Sequence, residues 1–292
     1  MGKAFVTIGA LIDEGADRLG APDGRVEAEY LLGAVIAKGR AFLRAFPERA
    51  VGQDEAAVYR ELLDRRWAGE PMAYLTGVRE FWSLALNVTP AVLVPRPETE
   101  VLIELALELA ADRSNQGLRV ADLGTGSGAI ALAIASERPA WHVAGTDRSR
   151  EALAVARGNA VSLRLDRVTF LLGSWCEALA GTDFSTCDLL VCNPPYVAHL
   201  DPCLDGPDLR FEPRAALTAG ADALAAFRAV AQCARAHLAP QGWLVFEHGH
   251  TQAAQVAAVL EAHGFTGIIH RRDLAGHARV CAGQWHARTP EP

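Results

Sequence analysis

The 292-residue sequence predicts an α/β protein: a mostly parallel, seven-stranded sheet covered by helices, preceded by a small helical domain. Three observations carry this. From Leu118 onward, short apolar runs alternate with helical stretches, the pattern of a parallel sheet with covering helices. Residues 1–75 show helical periodicity and no strand pattern. Residues 76–94 change character, with 81–88 alternating as a strand does and 91–94 reading as a returning strand. The expected organisation is a helical bundle over 1–75, a linking β-hairpin over 76–94 and the α/β domain over 95–292.

Composition narrows the possibilities. Half of the residues are hydrophobic, enough for a substantial core, yet no run approaches the ~20 uncharged apolar residues of a membrane span. Acidic residues interrupt the first twenty positions, where a signal peptide needs an unbroken apolar stretch. A cytoplasmic protein without a membrane partner is expected. The formal charge of −7 argues against an extended, stable grip on nucleic acid. Cys176, Cys187, Cys192, Cys203, Cys233 and Cys281 form no C-x-x-C pair and read as free thiols of a reducing compartment, with no metal site.

In the helical domain, Ile8, Leu11, Ile12 and Leu19 share one face, and Val26, Tyr30, Leu31, Ala34 and Val35 share another. The stretch 20–24, Gly-Ala-Pro-Asp-Gly, separates these helices, and 53–67 forms a further one stopped by Gly69-Glu70-Pro71. The domain carries no catalytic cluster, so it either docks a substrate protein or packs on the main domain. In the hairpin, 81–88 reads as one strand, Thr89-Pro90 as the turn and 91–94 as the return. Pro95-Arg96-Pro97-Glu98-Thr99-Glu100 then stiffens the lead into a helix over 101–110. It is either a rigid rim of a ligand pocket, with Arg96 facing substrate, or an ordinary capped helix start favoured by Glu98 at the dipole.

The first strand of the sheet, 118–123, runs into Gly124-Thr125-Gly126-Ser127-Gly128 and a helix of small residues. Such a loop lets backbone approach a ligand. Its spacing departs from the dinucleotide fingerprint G-x-G-x-x-G, since Ala129 sits where the third glycine belongs. With no pyrophosphate to cradle, the loop suits S-adenosylmethionine, whose ammonium Asp122 could meet. The second strand, 142–146, ends at Asp147, placed for ribose hydroxyls or for capping the next helix. The third, 168–172, leads to Trp175, which either borders an adenine or lies in the core.

The fourth strand, Leu189-Leu190-Val191-Cys192, stops at Asn193-Pro194-Pro195-Tyr196. Two prolines cannot continue a strand, so the chain leaves the sheet at its carboxyl edge, where open α/β sheets bind ligands. Asn193 and the Pro194 carbonyl offer acceptors and Tyr196 a flat ring, a cradle for a planar NH2 group. A long polar loop over 198–217 follows, then a helix over 221–238, a strand over 243–247, a helix over 251–263 and strands over 267–271 and 278–282. His248-Gly249-His250 reads as a strand-to-helix turn rather than a metal site.

Asp122, the glycine loop, Asp147 and Asn193-Pro194-Pro195-Tyr196 arrive in the order of the class I, Rossmann-like S-adenosylmethionine-dependent methyltransferases. Thr76-Gly77-Val78-Arg79-Glu80-Phe81-Trp82, the 95–100 segment, Arg210-Phe211-Glu212-Pro213 and Arg272-Asp273 extend the likeness over nearly the whole chain. With the helical domain, they make the chain resemble the release factor glutamine methyltransferases. The resemblance implies methyl transfer from S-adenosylmethionine, leaving S-adenosylhomocysteine, to the glutamine of the Gly-Gly-Gln segment of peptide-chain release factors, in translation termination. It implies cofactor contacts at Asp122, Gly124, Thr125, Gly126, Ser127, Gly128, Asp147, Trp175 and Asn193. Asn193, Pro194, Pro195 and Tyr196 would hold the glutamine, with Arg96 at the rim. Ser174 departs from the acidic residue the family often has before this tryptophan. A monomer is expected. The rivals are a DNA adenine or cytosine amino-methyltransferase, disfavoured by the acidic charge, and a non-catalytic S-adenosylmethionine-binding module, disfavoured by an intact Asn193.

Overall fold

The computed structural model describes residues 5–286 apart from residues 21, 114, 207, 208 and 219, so the ends of the first and last predicted segments and one position of the 20–24 break lie outside the described residues. Two compact units are present, one of residues 1–78 with 206–211 and one of 79–205 with 212–292.

In the first unit a two-residue strand β1 (Val6–Thr7) is followed by α1 (Ile8–Leu19), α2 (Gly24–Val35) and α3 (Arg40–Ala45). Then come β2 (Ala50–Val51), α4 (Gln53–Trp67) and α5 (Met72–Thr76). Thr7 caps α1 by accepting from Ala10 N (3.3 Å), and Gly20 closes it in the left-handed conformation. The antiparallel β1–β2 pair was not expected, and two residues per strand are too few to show a period. The core joins Ile8, Leu11 and Ile12 to Leu31, Leu32, Tyr59 and Leu63. The face expected for α2 is shifted: Ala28, Leu31 and Leu32 are buried, while Tyr30 and Ala34 are exposed. A carboxylate accounts for the shift. Glu29 points inward and accepts from Arg40 Nε (2.7 Å) and Arg44 Nε (3.0 Å), and those partners allow a charge to be buried.

In the second unit the hairpin is β3 (Val78–Phe81) and β4 (Leu84–Asn87). Its turn is at Trp82-Ser83, not at Thr89-Pro90, and residues 91–94 form no strand. Trp82 and Ser83 both take positive φ (51° and 57°), as a type I′ two-residue hairpin turn requires. Next come α6 (Glu100–Leu109), β5 (Arg119–Leu123), α7 (Ala129–Glu137), β6 (His142–Asp147), α8 (Arg150–Ser162) and β7 (Thr169–Leu172). They are followed by β8 (Cys187–Cys192), α9 (Arg214–Leu217), α10 (Ala225–His237), β9 (Leu238–Glu247), α11 (Ala253–Ala262), β10 (Phe265–Arg272) and β11 (Ala278–Trp285). The seven-stranded sheet has the order β10-β11-β9-β8-β5-β6-β7, with β11 antiparallel to both its neighbours. β7, β6, β5, β8 and β9 run parallel, the mostly parallel sheet expected.

Alternation along the central strands sorts side chains between two cores. Val120, Leu189 and Val191 pack with α6, α7 and α8, while Ala121, Leu123, Leu190 and Cys192 pack with α10 and α11. The thiol reading is corrected at one pair. Cys176 and Cys233 form a disulfide with Cα atoms 5.9 Å apart, because the turn after β7 packs on α10. Among the described residues Cys187, Cys192, Cys203 and Cys281 are free.

Candidate functional site

Strand β5 leads through α7 to β6 on one side and its neighbour β8 leads through α10 to β9 on the other, so the connections after β5 and β8 go to opposite faces and leave a crevice. A cavity of about 470 Å³ opens there.

The glycine loop forms its floor. Gly124 and Gly126 take φ of 80° and 56°, which L side chains rarely adopt. A Cβ on Gly124 would lie 3.1 Å from the Trp175 ring, whereas one on Gly126 would meet nothing within 4 Å. The loop is held from beneath. Gly124 N and Thr125 N both donate to Thr146 O (2.8 Å each), and Thr125 Oγ1 donates to Asp122 Oδ2 (2.6 Å). Asp122 also receives Ala131 N at 3.3 Å, the first turn of α7. Buried Asn159 donates to Ser127 O (2.9 Å) and Asn87 O (3.0 Å) and accepts from Asn87 N (2.7 Å), tying the loop to the end of β4.

Asp147 closes one side, its Oδ2 accepting from Gly126 N (3.0 Å) and its Oδ1 from Ser149 N (2.9 Å). Helix α8 is capped by Ser149, whose Oγ accepts from Ala152 N (3.0 Å). That leaves Asp147 free of the capping role weighed for it. Trp175 lines the cavity and also packs under Gly124, so the indole is not a core residue alone.

The opposite side is the 91–99 segment, with Arg96 and Thr99 among its lining residues. It is fixed by Glu212, whose Oε2 accepts from Val94 N (3.0 Å) and whose Oε1 pairs with Arg96. The Glu212 side chain is fully buried, so this pair is shielded from solvent on its acidic side. The strip 213–218 and the start of α10 complete the wall with Ala215, Ala216 and Ala226.

Asn193 enters at the end of β8. Its Nδ2 donates to Thr99 Oγ1 at 3.4 Å. Tyr196 turns under the sheet edge, where its Oη donates to Glu247 Oε1 (3.4 Å) and its carbonyl accepts from Gln252 Nε2 (3.2 Å). Burial and the Glu247 carboxyl push the Tyr196 phenol well above its ordinary pKa. Burial likewise raises Asp122 and Glu247, each to about 7. Oδ1 of Asp122 and Oε2 of Glu247 are buried without hydrogen-bond partners among the described residues.

Of the residues singled out from sequence, Arg96, Gly124, Thr125, Gly126, Ser127, Asp147, Trp175, Asn193 and Pro195 line one cavity. Asp122, Gly128, Pro194 and Tyr196 do not line it. Asp122 lies beneath the loop and Gly128 packs on Leu132 and Ala156, while Pro194 is buried and Tyr196 braces the turn. Sequence reading missed Thr99, Asn159, Glu212 and Glu247 as parts of this site. Their partners are remote in sequence, and only the burial of polar side chains marks them. His248 Nδ1 lies 2.9 Å from Gly249 O, and Gly249 N donates to Gln252 Oε1 (2.9 Å), which makes 248–252 a turn leading to α11.

Two family models match the chain, a methyltransferase domain over residues 114–274 and a PrmC N-terminal domain over residues 10–77. A release factor glutamine methyltransferase of Vibrio cholerae is 45% identical over 284 residues, covering 96% of this chain and 97% of the relative. One of Pseudomonas aeruginosa is 46% identical over 265 residues, covering 90% and 94%. Among solved structures, the hMettl16 catalytic domain aligns with a TM-score of 0.56 at 15% identity, covering 84% of this chain and 87% of that one, a likeness of fold alone.

Proposed function

The chain belongs to the release factor glutamine methyltransferase family, and on that premise we propose that it transfers a methyl group to the side-chain amide nitrogen of the glutamine in the Gly-Gly-Gln segment of peptide-chain release factors. The donor in this reading is S-adenosylmethionine, which supplies an electrophilic methyl on a sulfonium. The cavity suits it: about 470 Å³ falls within the range of small-ligand sites. Positive-φ glycines bring backbone to the floor, Asp147 offers a carboxylate for ribose hydroxyls, and Asp122 fixes the loop from beneath through Thr125. Gly124, Thr125, Gly126, Ser127 and Trp175 would hold the rest.

The observation that carries the reading is Asn193 at the mouth of this cavity, with its Nδ2 engaged by Thr99. That leaves Oδ1 as an acceptor toward the ligand. A glutamine amide nitrogen is a weak nucleophile, so orienting it is the main task of the site. Asn193 Oδ1 and the Pro194 carbonyl accept its two hydrogens and stabilise the positive charge growing on nitrogen. No base need act first, since the methylated nitrogen is acidic and releases its proton to water. Tyr196 serves through its brace on Glu247, stiffening the turn rather than offering a free ring face. In this reading the helical unit docks the release factor, and the enzyme acts as a monomer without a stable nucleic-acid partner.

The test is transfer of labelled methyl from S-adenosylmethionine, offered in parallel to a release factor, to that factor with its Gly-Gly-Gln glutamine replaced by alanine, and to duplex DNA. Label on the intact release factor alone is expected. Label on DNA and not on the release factor would overturn the reading in favour of a base amino-methyltransferase.

A further inference from the structure

An asparagine amide has two orientations related by a half-turn, and only one presents an acceptor to a substrate NH2. The other sets donor against donor. Whatever selects the orientation of Asn193 therefore controls whether the site can hold an amide at all.

Two groups bear on that selection. Thr99 is 4% exposed, ends the turn Pro97–Thr99, and takes the Asn193 Nδ2 hydrogen on its Oγ1. Its hydroxyl also lies against the Glu247 carboxyl. Glu247 is 2% exposed at the end of β9, beside β8, and its Oε2 is buried without a hydrogen-bond partner among the described residues. Oxygen-rich surroundings on this side favour the NH2 end of Asn193 and repel its Oδ1. Glu247 also holds Tyr196 Oη, so one buried carboxyl reaches both ends of the four-residue turn, through Thr99 at Asn193 and directly at Tyr196.

We propose that Thr99, backed by Glu247, is the positioning residue of the reaction: it fixes the Asn193 amide with Nδ2 inward and Oδ1 toward the substrate. Neither residue exchanges a proton or bond with substrate, and the inference rests on the proposed amide methylation. Thr99→Val keeps the shape and removes the hydroxyl, so Asn193 samples both orientations. Thr99→Ser keeps the hydroxyl. Glu247→Gln keeps the volume and replaces one carboxyl oxygen by a permanent NH2 donor.

The experiment measures kcat and KM for release-factor methylation together with calorimetric S-adenosylmethionine affinity, for the wild type and the three variants. Thr99→Val is expected to lose 10- to 100-fold in kcat with cofactor affinity within two-fold of wild type. Thr99→Ser should keep at least half of the wild-type kcat, and Glu247→Gln should fall by about ten-fold. If Thr99→Val does not fold, Thr99→Ala replaces it with the same expectation. The ¹⁵N-resolved exchange of the Asn193 side-chain amide gives a readout independent of turnover, expected to be faster in Thr99→Val than in wild type. A kcat for Thr99→Val within two-fold of an active wild type overturns the positioning role and leaves the functional reading standing. Wild-type protein that labels no release factor overturns both.

Discussion

Replacing Gly124 by alanine tests the glycine loop as a rigid floor, because the structure separates two costs that usually coincide. The first is conformational. At φ 80° an L residue loses roughly 1–2 kcal/mol, partly offset by the ~0.4–1 kcal/mol gained from a stiffer unfolded chain. The second is steric. The new Cβ would stand 3.1 Å from the Trp175 ring, which must give by a few tenths of an ångström at about 1–3 kcal/mol. Gly124→Ala should therefore cost about 2–4 kcal/mol. Gly126→Ala, at φ 56° with nothing within 4 Å, carries only the first cost of about 1 kcal/mol. Urea unfolding followed by tryptophan fluorescence measures both. With an m-value of about 2 kcal/mol/M, the midpoint should fall by about 1–2 M for Gly124→Ala and about 0.5 M for Gly126→Ala. Ligand affinity should show the reverse emphasis, since the Gly126 methyl lies on the cavity floor: Gly126→Ala should weaken S-adenosylmethionine binding at least ten-fold. Equal midpoints for the two variants would refute the contact with Trp175 as a determinant of the loop.

Glu212→Ala removes the buried partner of Arg96 and the acceptor of Val94 N, and should loosen the 91–99 rim by about 2–4 kcal/mol, read as faster hydrogen exchange at Val94 and weaker cofactor binding. Asp122 and Glu247 have folded pKa values of about 7, above their unfolded values of 3.8 and 4.5, so their contribution is full below about pH 4 and lost as pH rises through 7. His248, lowered by burial, acts in the opposite sense below pH 6.5. Glu247→Gln should thus flatten the fall in unfolding free energy between pH 5 and 7 by up to ~1.4 kcal/mol per pH unit, measured by urea titrations at each pH. Mass spectrometry of the unreduced protein should find a single disulfide-linked peptide pair, holding Cys176 and Cys233; alkylation of all six cysteines without reduction would contradict it.

The sheet was legible because buried parallel strands are apolar runs that stop where the chain must turn. The apolar run from Leu189 to Cys192, halted by Pro194 and Pro195, puts Asn193 at the carboxyl edge, where β8 ends. Features that depend on side-chain partners were not legible. The hairpin turn at Trp82-Ser83 has no glycine or asparagine to signal positive φ, so the apolar pattern around Thr89-Pro90 prevailed. Glu29 looks like a solvent-facing charge until Arg40 and Arg44 close on it, and it rotates the buried face of α2. The link from Arg96 to Glu212 spans more than a hundred residues, and the cysteine pair spans 57, distances over which spacing carries no information. Thr99 was visible in the sequence, but its orientation toward Asn193 follows from the packing of two segments, not from either one.

Single-turnover methyl transfer by Asn193→Ala reports whether the turn at Asn193 positions an amide nitrogen for methylation. With S-adenosylmethionine affinity within a few-fold of wild type, the rate onto the release-factor glutamine should fall by roughly two to three orders of magnitude. A rate near that of the wild type, at saturating donor and acceptor, would show that Asn193 does not orient the acceptor amide.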